Sequence, residues 1–399
     1  MSTRTATLFL LAALVGPPAS AQPSPPPAGA RGLEVGPVTL TPGFEIREIG
    51  IDDNVFNDPV NPQRDFTATV LARVNADVQI GWTRLTGAST LEGVYFKKFA
   101  GERALNRGAE GRFEIGEGLV RPFVMGGMLD TNQRLNAEID IRAGRRQTNY
   151  GGGIGLAMTS RTMILLTARR SNLRFDEGES YRGVELSRTM NSHSDQLDAG
   201  IRMAITPLTT WDITGGVQYD RFDRDAQRNA DSVRVATGLS FSPSALITGR
   251  ASVGFRRFTP AVASLAAYNG VVAQAGLAYS IESTKIEGQF ERDVRYSFED
   301  LEPYYVTSGG RIILTQQITG PLDAQGTAGR QSLDYREFGG GDAISRRDRA
   351  TFYGGGLGYR LGEAARLGIN VEWSRRRSDT LLDRHYDRRR LYGTVTYGF

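Results

Sequence analysis

Apolar and polar residues alternate at period two along most of the chain. Leu367, Ile369, Val371 and Trp373 interleave with Arg366, Gly368, Asn370, Glu372 and Ser374. Ile247, Ala251, Val253 and Phe255 do the same against Thr248, Arg250, Ser252 and Arg256, and Trp211, Ile213, Val217 and Tyr219 against Asp212, Thr214, Gln218 and Asp220. This is the period of an extended strand whose two faces meet different surroundings. A soluble sandwich also alternates, but its strands average about five or six residues and its hidden face does not carry Arg and Glu so regularly.

Turn signals divide the alternating stretches. Tight ones fall near Thr83, Arg121-Pro122, Ser160-Arg161, Pro207-Leu208, Ser242-Pro243, Glu282-Ser283, Gly320-Pro321 and Gly362-Glu363. Longer connections rich in Asp, Arg and Asn lie between them. The spacing of about 40 residues, with one stretch nearer 47, holds two strands of about 14, one short turn and one longer loop. With both ends of the chain on the side of the short turns, the pattern predicts an all-β fold. It is a single transmembrane antiparallel β-barrel over residues 38–399, with about 18 strands (range about 16 to 18), short periplasmic turns and longer extracellular loops.

Composition fits this reading. Mean hydropathy is −0.33, and no apolar run of the roughly 20 residues that a membrane helix needs follows the N-terminus. A barrel can be polar on average, since only every second strand residue faces lipid. A chain of 399 residues would otherwise suggest two or three soluble domains, yet no composition break interrupts the rhythm from Val38 onward.

The N-terminus reads as a signal peptide over residues 1–21. Arg4 supplies the charge, Leu8 to Val15 the apolar stretch and Ala19-Ser20-Ala21 the cleavage site, so the mature chain begins near Gln22. The apolar stretch is too short to span a bilayer and Pro17-Pro18 breaks it. Residues 22–37, with Pro23 and Pro25 to Pro27, form a disordered Pro-rich linker. The chain has no cysteine, which excludes lipidation at a cysteine, disulfides and thiolate chemistry. At the other end, Leu391, Val395, Tyr397 and Phe399 resemble the C-terminal signal by which barrel-assembly machinery reads a final strand.

Two segments near the start, Leu40-Thr41-Pro42-Gly43-Phe44-Glu45-Ile46 and Ile51-Asp52-Asp53-Asn54-Val55-Phe56, carry a family resemblance. The chain resembles the family called putative β-barrel porin 2. Its members have a proline-containing strand followed by a Tyr-Asp-Asp-Asn-Val-Phe type segment; Ile51 stands here at the tyrosine position. The resemblance implies an outer-membrane protein. Because several relatives look associated with exopolysaccharide or capsule export, it also implies an exit pore with polysaccharide-export components as partners.

The same segment offers Asp52, Asp53 and Asn54 as hard oxygen donors for calcium, or as an Asx-rich strand end capping the first loop, the reading that predicts no metal. The net charge is +4, with only three lysines. Arginine clusters, Arg145-Arg146, Arg256-Arg257, Arg346-Arg347, Arg375-Arg376-Arg377 and Arg388-Arg389-Arg390, fall on the loop-side ends of predicted strands. Outward members could hold the phosphates of lipopolysaccharide. Inward ones could line a basic constriction, or pair with inward acids such as those of Glu287, Gln289, Glu291 and Asp293. The residues singled out for the pore or its rim are Arg250, Arg256, Glu287, Glu291, Asp293, Arg366, Glu372, Arg376, Arg388 and Arg390.

Enzyme chemistry has little to work with. The two histidines, His193 and His385, fall in predicted outer loops; Ser192, Ser194 and Asp383 are sequence neighbours, which seldom form a triad. The Gly151-Gly152-Gly153, Gly339-Gly340-Gly341 and Gly354-Gly355-Gly356 runs lie in or beside strands without a following helix, so they are not phosphate loops. No cofactor and no nucleic-acid partner is expected. The sequence therefore predicts an outer-membrane channel, with a closed structural or ligand-binding barrel as the alternative. The longest outer loop, roughly Asp176 to Ser194, is the expected constriction.

Overall fold

A computed structural model describes residues 32–116, 118–339, 341, 343–362 and 365–398. The predicted signal peptide, residues 22–31 of the linker, Glu363 and Phe399 lie outside the described residues.

In chain order the strands are β1 (Leu33–Val35), β2 (Val38–Asp52), β3 (Asp65–Ile80), β4 (Thr83–Phe96), β5 (Ala104–Ile115), β6 (Val120–Thr131) and β7 (Arg145–Ala157). There follow β8 (Thr162–Phe175), β9 (Ser180–Tyr181), β10 (Val184–Glu185), β11 (Ser192–Thr206), β12 (Thr209–Phe222), β13 (Ala230–Phe241) and β14 (Ile247–Pro260). The last are β15 (Tyr268–Ile281), β16 (Thr284–Tyr296), β17 (Tyr304–Thr319), β18 (Leu322–Arg336), β19 (Arg347–Leu361), β20 (Ala365–Ser378) and β21 (Tyr386–Gly398). Each long strand pairs antiparallel with its sequence neighbours, and β2 pairs with both β3 and β21. Setting aside β1 and the small β9–β10 hairpin, this is a closed 18-stranded barrel. Its strands run from 12 residues to 16, longer than the roughly ten that cross the hydrocarbon, so they extend beyond the membrane.

The alternation reads out as expected. Outward apolar side chains are exposed, as for Ile369 at 69% and Phe255 at 53%, whereas Asn370 and Arg256 on the opposite face are buried. Such an outward face belongs against lipid.

Three details depart from the sequence reading. Leu33–Val35, assigned to the linker, pairs with Val38–Leu40 as a short hairpin, because Gly36 takes a left-handed φ of 60° that lets the chain reverse. The first two short turns precede the residues named for them: Thr83 opens β4, its hydroxyl donating to the Ile80 carbonyl at 2.8 Å, and Arg121-Pro122 lies within β6. His193, with Ser192 and Ser194, is in β11 rather than a loop, since cross-strand bonding to β8 and β12 continues to Ser192.

The seam between the first and last strands is the most specialised part of the wall. A bulge at Glu48, whose φ is 58°, shifts the register between Ile46 and Ile49. The extra residue lets two consecutive charged side chains engage partners, Arg47 with Glu92 and Glu48 with Arg390 at 2.6 Å. Just beyond it β2 runs so close to β21 that a Cβ on Gly50 would lie 2.0 Å from the Leu391 carbonyl oxygen. At the end of the strand Asp52 receives Arg388 through two guanidinium nitrogens.

Gly50→Val should therefore open the seam, an overpacking cost of about 1–3 kcal/mol or more. Gly43→Val, where an added Cβ meets nothing within 4 Å, should leave it intact. Thermal melting of the two variants in detergent checks this, with a clear drop expected for the first alone.

Candidate functional site

Strand alternation splits each arginine cluster between the two faces of the wall. Arg145, Arg256, Arg346 and Arg376 are buried, while the side chains of Arg146, Arg375 and Arg389 are 59%, 62% and 67% exposed. The outward members meet acids on neighbouring strands: Arg146 with Asp130 at 3.2 Å, Arg347 with Asp334 at 2.6 Å, and Arg375 and Arg377 both with Asp387 at 2.6 Å.

Inward members are tied to carboxylates across the lumen wall. Arg256 meets Asp293 at 2.9 Å, Arg390 bridges Glu48 and Glu372 at 2.6 Å each, Arg346 meets Glu302 at 2.8 Å, and Arg376 pairs with Asp348. Arg145 instead donates to the Gln133 carbonyl. Nearer the periplasmic end Arg250 meets Asp212 at 2.7 Å, and Arg366 grips Asp323. Of the acids predicted on β16, only Asp293 takes an arginine from a cluster. Glu287 pairs with Lys285 at 2.9 Å and Glu291 with Arg295 on its own strand.

Above this lattice the outer mouth is filled by loops. The chain between β6 and β7, residues 132–144, turns inward: Asn136 Oδ1 accepts the amides of Glu138 and Ile139 at 2.9 and 2.6 Å, an Asx turn that starts the descent. Leu135, Ile139 and Ala143 then pack against Phe175, Leu186, Met190, Phe222 and Phe298. Leu186 and Met190 come from residues 176–191, where the four-residue helix α1 (Leu186–Thr189) turns its buried Leu186 into this core. Burying Ile139 and Leu186 contributes roughly 1.5–3 kcal/mol each.

The loop reaches across the barrel. Arg376 donates to the Ala137 carbonyl, Arg384 to the Glu138 carbonyl at 3.2 Å, and Ser297 Oγ to the Glu138 carboxylate. Arg134 and Arg142 donate to the Val55 carbonyl at 2.7 and 3.4 Å. Thus the Asp52–Phe56 segment is architectural. Asp52 ties β2 to β21, while Asn54 bonds the Asp58 and Asp387 carbonyls at 2.9 and 3.0 Å. Buried Val55 presents its carbonyl to the inward loop, and Phe56 meets Phe99 edge-on at 4.8 Å. Asp53 accepts the Arg389 amide at 2.6 Å. Among the described residues no group of three or more His, Asp or Glu side chains is placed to hold a metal.

The expected constriction, Asp176 to Ser194, passes into strand at Ser192, and it shares the mouth with a second loop: residues 176–191 supply Leu186, Met190 and the Arg182–Asp383 pair, and residues 132–144 the contacts to Arg376, Arg384 and Val55. The signal for the second loop was the run of Leu135, Ala137, Ile139, Ile141 and Ala143, apolar at every second position between polar neighbours.

Below the plug the lumen keeps arginines that have no carboxylate within ion-pair distance among the described residues. Arg73 donates to Asn75 at 3.0 Å and Arg311 to Thr327 at 3.1 Å, while Arg202 on β11 and Arg234 on β13 lie half-buried on either side of β12. At the outer face, Phe56, Asn57, Tyr181, Arg182, Arg384 and Tyr386 border a cavity of about 220 Å³. Neither histidine sits in a triad. His193 lies 4.0 Å from Asp223, and His385 Nε2 is 2.8 Å from the Ser378 carbonyl.

A closed 18-stranded wall, apolar outside and charged inside with loops folded into one mouth, defines an outer-membrane β-barrel of porin type. The sequence matches the family model described as Putative beta-barrel porin 2 over residues 25–399, and the chain belongs to that family. Its fold is similar to that of the outer membrane protein OpdK from Pseudomonas aeruginosa, at 10% identity and TM-score 0.50, covering 90% of this chain and 99% of that one. It is equally similar to OccK2 (OpdF) from the same organism, at 10% identity and TM-score 0.50, covering 90% and 98%. A search of curated proteins by sequence found no match.

Glu138, at the hub of the plug, is fully buried with one carboxylate oxygen unpartnered. Burial pushes its carboxyl up to about 7, and Glu299 adds to the rise, against the Ser297 hydrogen bond and the pull of Arg384 and Arg376. The folded loop holds the proton more tightly than an opened one. Its stabilisation is therefore full below the ordinary carboxyl range and falls as pH rises through about 7. Planar-bilayer recordings should show opening that increases from about pH 4.5 to about pH 7 and levels off above it, and Glu138→Gln should flatten the profile.

Proposed function

We propose that this porin is a gated diffusion channel for small anionic solutes. The observation that carries the reading is the inward-folded loop 132–144, packed over a lumen that retains Arg73, Arg202, Arg234 and Arg311 without carboxylate partners among the described residues. Guanidinium groups facing water in a low-dielectric channel attract anions and fix their orientation through paired N–H donors. The cavity of about 220 Å³ at the outer face, bordered by aromatic rings and by both arginines and the aspartates Asp58, Asp140 and Asp383, offers a polar station above the loops. Its size suits a small molecule.

The finer expectation of an exit pore for exopolysaccharide gains no support. A polymer strand would have to displace the Glu138, Ile139 and Leu186 packing throughout its passage. A permanently sealed structural barrel is the reading that the same loops would give if they never opened.

Two variants separate these readings in planar bilayers. Removal of residues 134–142 should raise conductance several-fold, as expected when a constriction yields to an open barrel of this strand number. The Arg202→Glu and Arg234→Glu pair should move the reversal potential in a salt gradient from anion toward cation preference. A wild-type barrel that stays sealed at every voltage and pH, beside a loop deletion that conducts, would replace the channel with the structural reading.

A further inference from the structure

Most outward arginines of the extracellular rim have an acidic neighbour. Asp130 serves Arg107 and Arg146, Asp195 serves Arg170, Asp223 serves Arg174 and Asp231 serves Arg221. The face formed by β18, β19 and β20 breaks this rule. Arg330 and Arg349 are exposed there, and neither has a hydrogen bond or ion pair among the described residues.

Register places them in a tight basic group. Arg330 stands opposite Thr351 and Arg349 opposite Ser332; Thr351 in turn stands opposite Arg375, and Arg349 opposite Arg377. Four arginine positions thus flank one threonine, with cross-strand spacings of roughly 5–8 Å; Arg375 and Arg377 turn their guanidiniums to Asp387 on β21, which leaves those of Arg330 and Arg349 without an acid among the described residues. Like charges directly opposite on a sheet are destabilising, and Asp387 is already shared by Arg375 and Arg377. The group keeps excess positive charge, and Thr351 and Ser332 add hydroxyl donors.

Depth identifies where that anion resides. On the same face, one outward position nearer the periplasm, Tyr353 and Trp373 stack with centroids 5.4 Å apart and planes 15° off parallel. Below them come Leu357 and Ile369, both exposed. Stacked Tyr and Trp above an apolar band mark the membrane–water interface, so the arginines lie at headgroup level of the outer leaflet.

We propose that Arg330 and Arg349, with Arg375 and Arg377 flanking them, form a binding site for the phosphate group of an outer-leaflet glycolipid of the lipid A class. The planar guanidinium donors suit phosphate bidentately, and the ring pair beneath contacts the proximal sugar and acyl region. The site lies on the outer wall, apart from the lumen and its loops.

Native mass spectrometry of the full-length protein in mild detergent tests it, with bisphosphorylated lipid A and its dephosphorylated form as probes. The wild type should retain the phosphorylated lipid about tenfold better than the dephosphorylated one. Arg330→Gln/Arg349→Gln should lose that preference and Arg330→Lys/Arg349→Lys keep most of it. Arg170→Gln, on another face, should be unaffected. Equal retention of both lipids by the wild type overturns the proposal without recourse to any variant, as does unchanged preference in the Gln pair. Displacement of the lipid by inorganic phosphate at equal concentration overturns the lipid as the ligand.

Discussion

Within hydrocarbon a backbone amide has no water to turn to, so a sheet in a membrane must leave no strand with an unpaired edge. Everything else in this protein follows from meeting that demand between β2 and β21. The seam spends several special features on one strand pair: a bulge at Glu48, a glycine at position 50 where the backbones nearly touch, and the Asp52–Arg388 bridge. The family segment Asp52 to Phe56 gains its meaning here. It closes the cylinder, and through the Val55 carbonyl it also anchors the loop that fills the mouth, so closure of the wall and closure of the pore share one short stretch of chain.

Charge is organised by the same geometry. In an arginine run on a strand, alternate residues face opposite solvents, and the runs at the extracellular ends are divided accordingly. Inward guanidiniums of these runs are desolvated and would be costly alone, so acids of neighbouring strands and loops hold most of them, and a loop carbonyl holds Arg145. Outward ones lie in a wetter setting where an exposed pair contributes little, and there the pairing is looser, with one face left in excess positive charge. The runs thus stiffen the barrel inside and give it a distinct lipid-facing surface outside.

The loop 132–144 adds the tertiary element that converts a cylinder into a gated one. Its apolar side chains complete a core with residues contributed from β8, β12 and the loops after β8 and β16, all remote in sequence. Its polar backbone, which would be unsatisfied in such a position, is met by Arg376 and Arg384 from the opposite wall. A buried carboxyl at its centre makes the whole assembly sensitive to protonation. Such a plug rests on a few kcal/mol of packing, the scale on which gating equilibria operate.

How much of this was legible beforehand follows from the range of the interactions involved. The barrel class, its strand number, its eight short turns and the inward or outward sense of Arg366, Asn370 and Trp373 depend on period-two patterning and on turn chemistry, both local and therefore written in consecutive residues. The family follows from the short run at Asp52 to Phe56. What could not be read was partnership: which acid holds Arg256 or Arg376, that a second loop joins residues 176–191 in the mouth, and why Val55 matters. Asp293 lies 37 residues from Arg256, and Ala137 lies 239 from Arg376. The first needs three consecutive strands to lie side by side, and the second exists only after 18 strands have closed into a ring, because closure brings remote parts of the wall and its loops within reach of a side chain.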